Sequence, residues 1–252
     1  MSWHLGPIAA LDLETTGLDP LRARIVSAAV IVVRAQRGRH AADDPARWVT
    51  MDRSGWTVSD VEVPADAAAI HGITTAQAAA DPQARPGQWV AGAIGATLAR
   101  IVEQCIPVAI ANAPYDLTLL DRELWRHGWP SVALRAGREP LVLDPPVMDR
   151  HLDRNRRGRR TLAALCEHYG VPHTAPHEAA ADALAAARVV DAIARRYPEI
   201  ADMPLDELHQ RQGIWARRQA SERARRYAAE GRVERVNGQW PIIPRPRNGG
   251  PK

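Results

Sequence analysis

Apolar residues follow two different patterns along this chain. Three β-rich apolar runs come first, one beginning at Ile8 and the others at residues 25–34 and 47–52. They lie so close in sequence that no helix fits between them, so they must pair as antiparallel neighbours. Further along, segments with helical periodicity alternate with short apolar strands. The sequence therefore predicts an α/β layered fold with a mixed sheet.

The later elements are predicted from the same periodicity and from their end signals. Thr74 or Thr75 is a candidate N-cap for an alanine-rich helix. Gly128 closes a helix that opens at Asp116. Short apolar strands separate some of the helices. The predicted helices cover residues 89–104, 116–128, 147–153, 161–169 and 178–197, and the predicted strands cover residues 107–111 and 141–144.

Composition changes after Pro198, where arginines crowd a long polar helix over residues 205–230. Asn237-Gly238 lies between two arms of alternating polarity, a strong signal for a β-hairpin. The Pro/Gly-rich end at residues 244–252 is predicted to be disordered. We therefore predict two units: an α/β domain over residues 1–200 and a basic extension over residues 201–252.

Composition and charge narrow the class of protein. The chain has 252 residues, 46% hydrophobic and 25% charged, as in a globular protein with a sizeable core. Its net charge is +4, and all its basic residues except Lys252 are arginine, which is compatible with a polyanionic partner. The two cysteines, Cys105 and Cys166, are expected to be buried free thiols, which fits a reducing cytoplasm. No secretory leader or membrane span is expected.

The first apolar run contains two carboxylates, Asp12 and Glu14, separated only by Leu13. Side chains alternate faces along a strand, so the two acids should project together, about 7 Å apart along it. Their repulsion and desolvation favour a bound divalent cation such as Mg2+ or Mn2+. The alternative is a strand that ends at Leu11 and leaves both acids solvated in a loop.

Two further acids and a histidine follow at wider spacing. Asp116 opens a helix, where an acid can be simply a cap. Asp182 lies in the first turns of the last core helix and faces a seam of alanines, and His177 stands five residues before it. His173 competes with His177 as a catalytic base. Together with His168 and Cys166, these two histidines could also form a zinc site, but their spacing is not that of a usual structural zinc site.

Three segments give these residues a common context: LDLETTGLDP, ANAPYDLTLL and HEAAADALAA. In order and separation they resemble the three motifs of the DEDDh (DnaQ-like) 3′–5′ exonucleases, and IHGIT resembles the branch of the DNA polymerase III epsilon subunit. The resemblance covers residues 8–197. Where that family often has His and Phe in its second motif, this chain has Ala111 and Tyr115, and it has no Phe at all.

The resemblance implies a ribonuclease H-like fold with a mixed five-stranded sheet, to which the helix and hairpin predicted above add a C-terminal extension. It implies two Mg2+ or Mn2+ ions, with Asp12, Glu14 and Asp182 on the catalytic ion and Asp116 serving the second ion beside Asp12. His177 would be the general base. Residues that would contact the substrate are Thr15, Thr16, Gly17, Leu18, His71 and Asn112.

The expected function is metal-dependent removal of nucleoside 5′-monophosphates from DNA 3′ ends, with single-stranded DNA the favoured substrate. A DNA polymerase is a candidate partner, in proofreading or repair. The alternatives are a 3′–5′ exoribonuclease and a nucleic-acid-binding module without activity. The basic loop at residues 154–160 and the arginine-rich C-terminal helix each have two readings: contact with nucleic acid, or a structural role on the surface.

Overall fold

The computed structural model describes residues 2–36 and 48–245. Its centre is a five-stranded sheet with the strand order β3-β2-β1-β4-β5. β1 pairs antiparallel with β2, and β2 with β3, as predicted. β4 is parallel to both β1 and β5. The strands are β1 (Ile8–Thr15), β2 (Ile25–Ala35), β3 (Trp48–Thr57), β4 (Val108–Ala109) and β5 (Val142–Leu143).

Helices flank this sheet, so the predicted mixed sheet of ribonuclease H-like type is confirmed. Thr74 caps the second helix through a capping box with Gln77. β3 is longer than the predicted strand, and the first part of that prediction, Arg47, lies outside the described residues. The helices are α1 (Ala65–His71), α2 (Thr75–Ala80), α3 (Gly87–Glu103), α4 (Ala113–Arg126), α5 (Val132–Ala136), α6 (Pro145–Leu152), α7 (Leu162–Tyr169), α8 (Ala179–Arg196), α9 (Pro198–Ala201) and α10 (Leu205–Ala229), after a 3-10 turn at Trp3–Leu5.

α8 packs directly on β1 and β2. Small side chains on α8 such as Ala183 and Ala187 are buried in the same core cluster as β1 and β2, which lets the helix backbone approach the sheet closely. The close approach brings the first turn of α8 to the end of β1. Within the described part of the chain, no helix has the length and apolar content needed to cross a bilayer.

α10 covers the open edge of the sheet at β5. The backbone of β5 uses the carbonyls of Leu141 and Leu143 to pair with β4, so its alternate groups point away from the sheet. Side chains of α10 take up those groups. His209 Nδ1 accepts from the amide of Val142 at 3.0 Å, and Gln212 accepts from Asp144 at 2.7 Å and donates to the Val142 carbonyl at 2.9 Å. Gln212 is fully buried by this arrangement.

The predicted hairpin at Asn237-Gly238 is wrong. Residues 232–245 form no strand pairing; residues 232–235 are exposed, and the segment is held against the core from Trp240 onwards. Trp240 is buried there, and its indole N–H donates to Asp144 at 3.0 Å. The amide of Ile243 donates to Thr118 on α4, and Arg122 donates to the carbonyls of Ile243 and Pro244. These tertiary contacts replace the cross-strand hydrogen bonds that the turn signal predicted.

The predicted disordered tail begins too early. Pro244 accepts a hydrogen bond from Arg122, and the guanidinium of Arg245 binds the Asp121 carboxylate of α4 at 2.5 Å. Both residues of the tail that the structure describes are therefore held against the core. The rest of that prediction, residues 246–252, lies outside the described residues.

Candidate active site

Three of the predicted acids meet at the end of β1. Each of Asp12, Glu14 and Asp182 has a carboxylate oxygen within 4.8 Å of an oxygen of the other two. β1 continues to Thr15, so the alternative of a strand ending at Leu11 is wrong. Asp12 and Glu14 share a face of the strand, and α8 brings Asp182 to the same face. In the described part of the chain, no other group of three acids, histidines or cysteines could share an ion.

Asp116 joins this group from the first turn of α4. The amide of Ala9 points towards β4, so the amide of Leu13 points the same way, but β4 ends at Ala109. Asp116 Oδ1 takes the free position and accepts from Leu13 at 3.1 Å. Its carboxylate is fixed next to the backbone that joins Asp12 to Glu14, although it is not within the 4.8 Å cluster.

The acids repel one another in a poorly solvated place. Burial raises the pKa of Asp12 well above its usual value, and Asp116, Asp182 and Glu14 raise it further. Burial, followed by the charge of Asp182, raises the pKa of Glu14 to about 7. Burial also raises the pKa of Asp116, against the hydrogen bond from Leu13. The donor set is all oxygen and carries excess negative charge, which is what a hard divalent cation requires.

Because this repulsion destabilises the metal-free protein, we expect the Glu14→Gln variant to be affected less by rising pH than the wild type. The folded state raises the pKa of Glu14 to about 7, so without metal the wild type loses stability as pH rises through the interval between 4.5 and that value. Glutamine has no charge to lose. The stability of the variant relative to the wild type should increase by about 2 kcal/mol between about pH 5 and about pH 8, allowing for solvent screening. Urea denaturation in EDTA measures the difference; a gap that does not change with pH would contradict it.

Asp144 organises the start of α4, although the sequence analysis gave it no role. It is fully buried, and its two oxygens accept from the amides of Asn112 at 3.2 Å and Ala113 at 3.1 Å. Trp240 donates to it as well. Burial raises its pKa to about 6 against these hydrogen bonds. Asn112, a predicted substrate contact, is thereby held with a positive φ of 68° at the edge of the site.

The predicted substrate turn is fastened to α4 by Tyr115. Its hydroxyl contacts the hydroxyl of Thr15 at 2.5 Å and donates to the carbonyl of Gly17. Thr16 is tied to Arg24 through both its amide and its hydroxyl. Leu18 is 90% exposed, so its side chain is available to a ligand. The tyrosine that replaces the family's usual phenylalanine therefore anchors this turn through its hydroxyl group.

The histidines are arranged differently from the simplest expectation. His173 Nε2, not the His177 ring, contacts Asp182 Oδ1, at 2.5 Å. His177 is exposed with a positive φ of 65°, and its backbone amide donates to Asp182 Oδ2 at 3.2 Å. Burial lowers the pKa of His71, a hydrogen bond with the Thr15 backbone opposes this, and the charge of His177 lowers it further. The backbone of His177 is therefore held at Asp182, next to the acidic cluster.

The zinc alternative finds no support in these positions. His168 contacts the guanidinium of Arg196 at 3.1 Å and does not join His173. Cys166 is buried, and burial followed by the charge of Asp182 raises the pKa of its thiol to about 11. A thiol held in the protonated form is a poor metal ligand. Cys105, which was expected to be buried, is exposed.

The comparisons agree with this geometry. Residues 9–190 match the RNase T exonuclease family. No curated protein sequence matches the chain. A structure of exonuclease I aligns with 78% of this chain, with a TM-score of 0.61 and 18% identity. E. coli exonuclease I in complex with a dT13 oligonucleotide aligns with 78%, at a TM-score of 0.58 and 18% identity. Exonuclease I from Methylocaldum szegediense aligns with 77% of this chain, with a TM-score of 0.56 and 20% identity.

These structural likenesses are evidence for the fold. This chain covers 42%, 43% and 41% of those three chains, so it spans less than half of their length. The family match includes all three acidic motifs and well over half of the present sequence, so it is evidence for the family itself. The chain therefore belongs to the exonuclease family, and its predicted class, the DEDDh 3′–5′ exonucleases, is confirmed.

Proposed function

We propose that this chain is a metal-dependent exonuclease that removes nucleoside 5′-monophosphates from the 3′ end of single-stranded DNA. The observation that carries the proposal is the convergence of Asp12, Glu14 and Asp182, whose carboxylate oxygens lie within 4.8 Å of one another. Asp12 and Asp182 also line an open cavity that Arg150 and Arg160 border. The negative acids can bind a cation, and the positive groove beside them can bind a polyanionic strand.

Asp12, Glu14 and Asp182 would hold a divalent cation, and Asp116 with Asp12 would serve a second. The raised pKa values of Asp12, Glu14 and Asp116 support this assignment, because a cation would remove the repulsion that raises them. Mg2+ and Mn2+ are the ions that such oxygen ligands favour. When bound, they supply Lewis-acid stabilisation of the charge on the phosphate.

The chain's own residues account for the remaining steps. The turn of Thr15 to Leu18 receives the terminal nucleotide, with the exposed Leu18 against its base. Water attacks the last phosphorus, and the bond from phosphorus to the 3′-oxygen of the preceding nucleotide breaks. His177 accepts the proton of the water, for which an imidazole is suited near neutral pH. Solvent protonates the leaving 3′-oxygen, which becomes the new 3′-hydroxyl.

DNA is the substrate we favour over RNA. E. coli exonuclease I, with which this chain shares its fold, has been solved with a dT13 oligonucleotide. Phosphate contacts alone do not distinguish the two sugars, so an exoribonuclease is the second candidate. A role in replication or repair beside a DNA polymerase is part of the proposal and rests on the resemblance to the epsilon subunit.

The decisive assay uses 5′-labelled oligonucleotides of matched sequence in DNA and RNA, each with a free or a phosphorylated 3′ end, and circular single-stranded DNA. With Mg2+ or Mn2+ we expect stepwise shortening of free-ended DNA, little action on blocked ends, and no cutting of circles. EDTA should stop turnover. Faster shortening of RNA would establish the second candidate, and binding without any turnover in either metal would overturn the enzymatic proposal.

A further inference from the structure

The acids open into a groove that continues well beyond them. A cavity of about 850 Å³ begins at Asp12 and Asp182 and runs between two walls. One wall is formed by α6 and the segment before α7, including Arg150 and Arg159. The other is formed by α10 and the segment from Asn237 to Trp240, including Arg223. The second wall lies outside the family match, which ends at residue 190.

The arginines around this groove fall into two groups. Arg156 and Arg160 bind the carboxylate of Asp149, at 2.9 and 2.8 Å, and Asp149 is fully buried. These two are therefore occupied with a structural task. Among the residues that the structure describes, Arg150, Arg159 and Arg223 make no ion pair with any carboxylate, although they line the same cavity.

Arg150 lies among other arginines, of which Arg160 and Arg226 are themselves paired with carboxylates. Partial burial lowers the pKa of Arg150, and the charges of Arg160, Arg223 and Arg226 lower it further. Bringing Arg223 close to Arg150 lowers the stability of the folded protein, and a bound anion would offset this repulsion. Phosphate suits the site, since guanidinium groups bind its oxygens in a planar, bidentate manner. A single phosphate would not span two walls and reach the acids, whereas a strand of several nucleotides would.

We propose that the C-terminal extension forms the outer wall of the path of the substrate strand. Arg223 from α10, together with Arg150 and Arg159 from the opposite wall, binds the phosphates upstream of the terminal nucleotide. This inference rests on the proposed function, because it takes the strand to be the substrate whose 3′ end reaches Asp12. The bound chemistry is a single-stranded polynucleotide, and its backbone is the part recognised.

Binding without catalysis tests this surface. A fluorescent dT20 is titrated with the full-length protein in EDTA at several NaCl concentrations, and anisotropy gives Kd. Arg223→Gln and Arg150→Gln should each raise Kd about tenfold. Each should also reduce the slope of log Kd against log[NaCl] by about 0.7, the value for one phosphate contact on a single strand. Arg223→Lys keeps the charge and should restore most of the slope.

Arg225→Gln is the matched control, because Arg225 is exposed on the same helix but does not line the cavity. It should leave Kd and slope unchanged. If Arg223→Gln and Arg150→Gln both behave like this control, or if the wild type fails to bind dT20, the inference is overturned. The two proposals can fail separately. If the wild type binds dT20 and the variants change the slope as expected, but the wild type hydrolyses nothing in Mg2+, the proposed function is refuted and the strand-binding groove is still supported.

Discussion

Replacing Asp12 with asparagine should abolish nucleotide release, lowering kcat by at least about 10³-fold. Asp12 belongs to the cluster with Glu14 and Asp182 and is close enough to Asp116 for that acid to raise its pKa, so every proposed cation position uses it. Losing several kcal/mol of charge stabilisation in the transition state corresponds to a loss of this size. The measurement is single-turnover hydrolysis of a labelled DNA strand with saturating Mg2+.

The same variant should be more stable than the wild type when metal is absent. Burial and three neighbouring acids raise the pKa of Asp12, so its ionised form destabilises the folded state near neutral pH. The asparagine side chain would remove that charge while keeping the shape. Asp52→Asn, at an exposed position of β3, is the control and should change neither activity nor stability. An Asp12→Asn protein that still shortens DNA at a comparable rate would rule out the proposed site.

Replacing His177 with alanine should lower kcat by about 10²- to 10⁴-fold, the usual contribution of a general base. The side chain is exposed at the border of the acids, so stability should change by less than about 0.5 kcal/mol. Single-turnover hydrolysis of a labelled DNA strand with saturating Mg2+ measures the rate, and an unchanged kcat would contradict the assignment of His177 as the general base.

His173→Ala is the informative comparison. His173 contacts Asp182 at 2.5 Å, so its removal frees that carboxylate and should destabilise the metal-free protein. Its effect on kcat should stay below about tenfold, because we assign it to positioning Asp182. If His173→Ala lowers kcat far more than His177→Ala does, the two roles must be exchanged.

The features that sequence predicted well depend on local geometry. Asp12 and Glu14 share a face because side chains alternate along a strand, and this holds wherever the strand lies. Asp182 could be placed because α8 is long and strongly patterned. The meeting of Asp116 with β1 needed the family motif, since nothing in its own segment distinguishes it from a helix cap.

The features that sequence missed depend on long-range packing. The turn at Asn237-Gly238 has hairpin chemistry, but burial of Trp240 against Asp144 outweighs it. Asp144 itself follows a short strand at the carboxyl edge of the sheet, a position where polar side chains often serve a site, and this signal could have identified it. The contact of His173 with Asp182 arises from a loop path that no periodicity encodes.

Because His209 and Gln212 pair with the open edge of β5, a truncated protein that lacks α10 would lose the cover of that edge. A chain cut before α10 would leave the Val142 and Asp144 backbone groups unpaired in a row. Such a row is a template for strand addition by a second molecule. Loss of solubility through intermolecular β-pairing, rather than a smaller active enzyme, is the outcome to anticipate for a fragment restricted to residues 1–200.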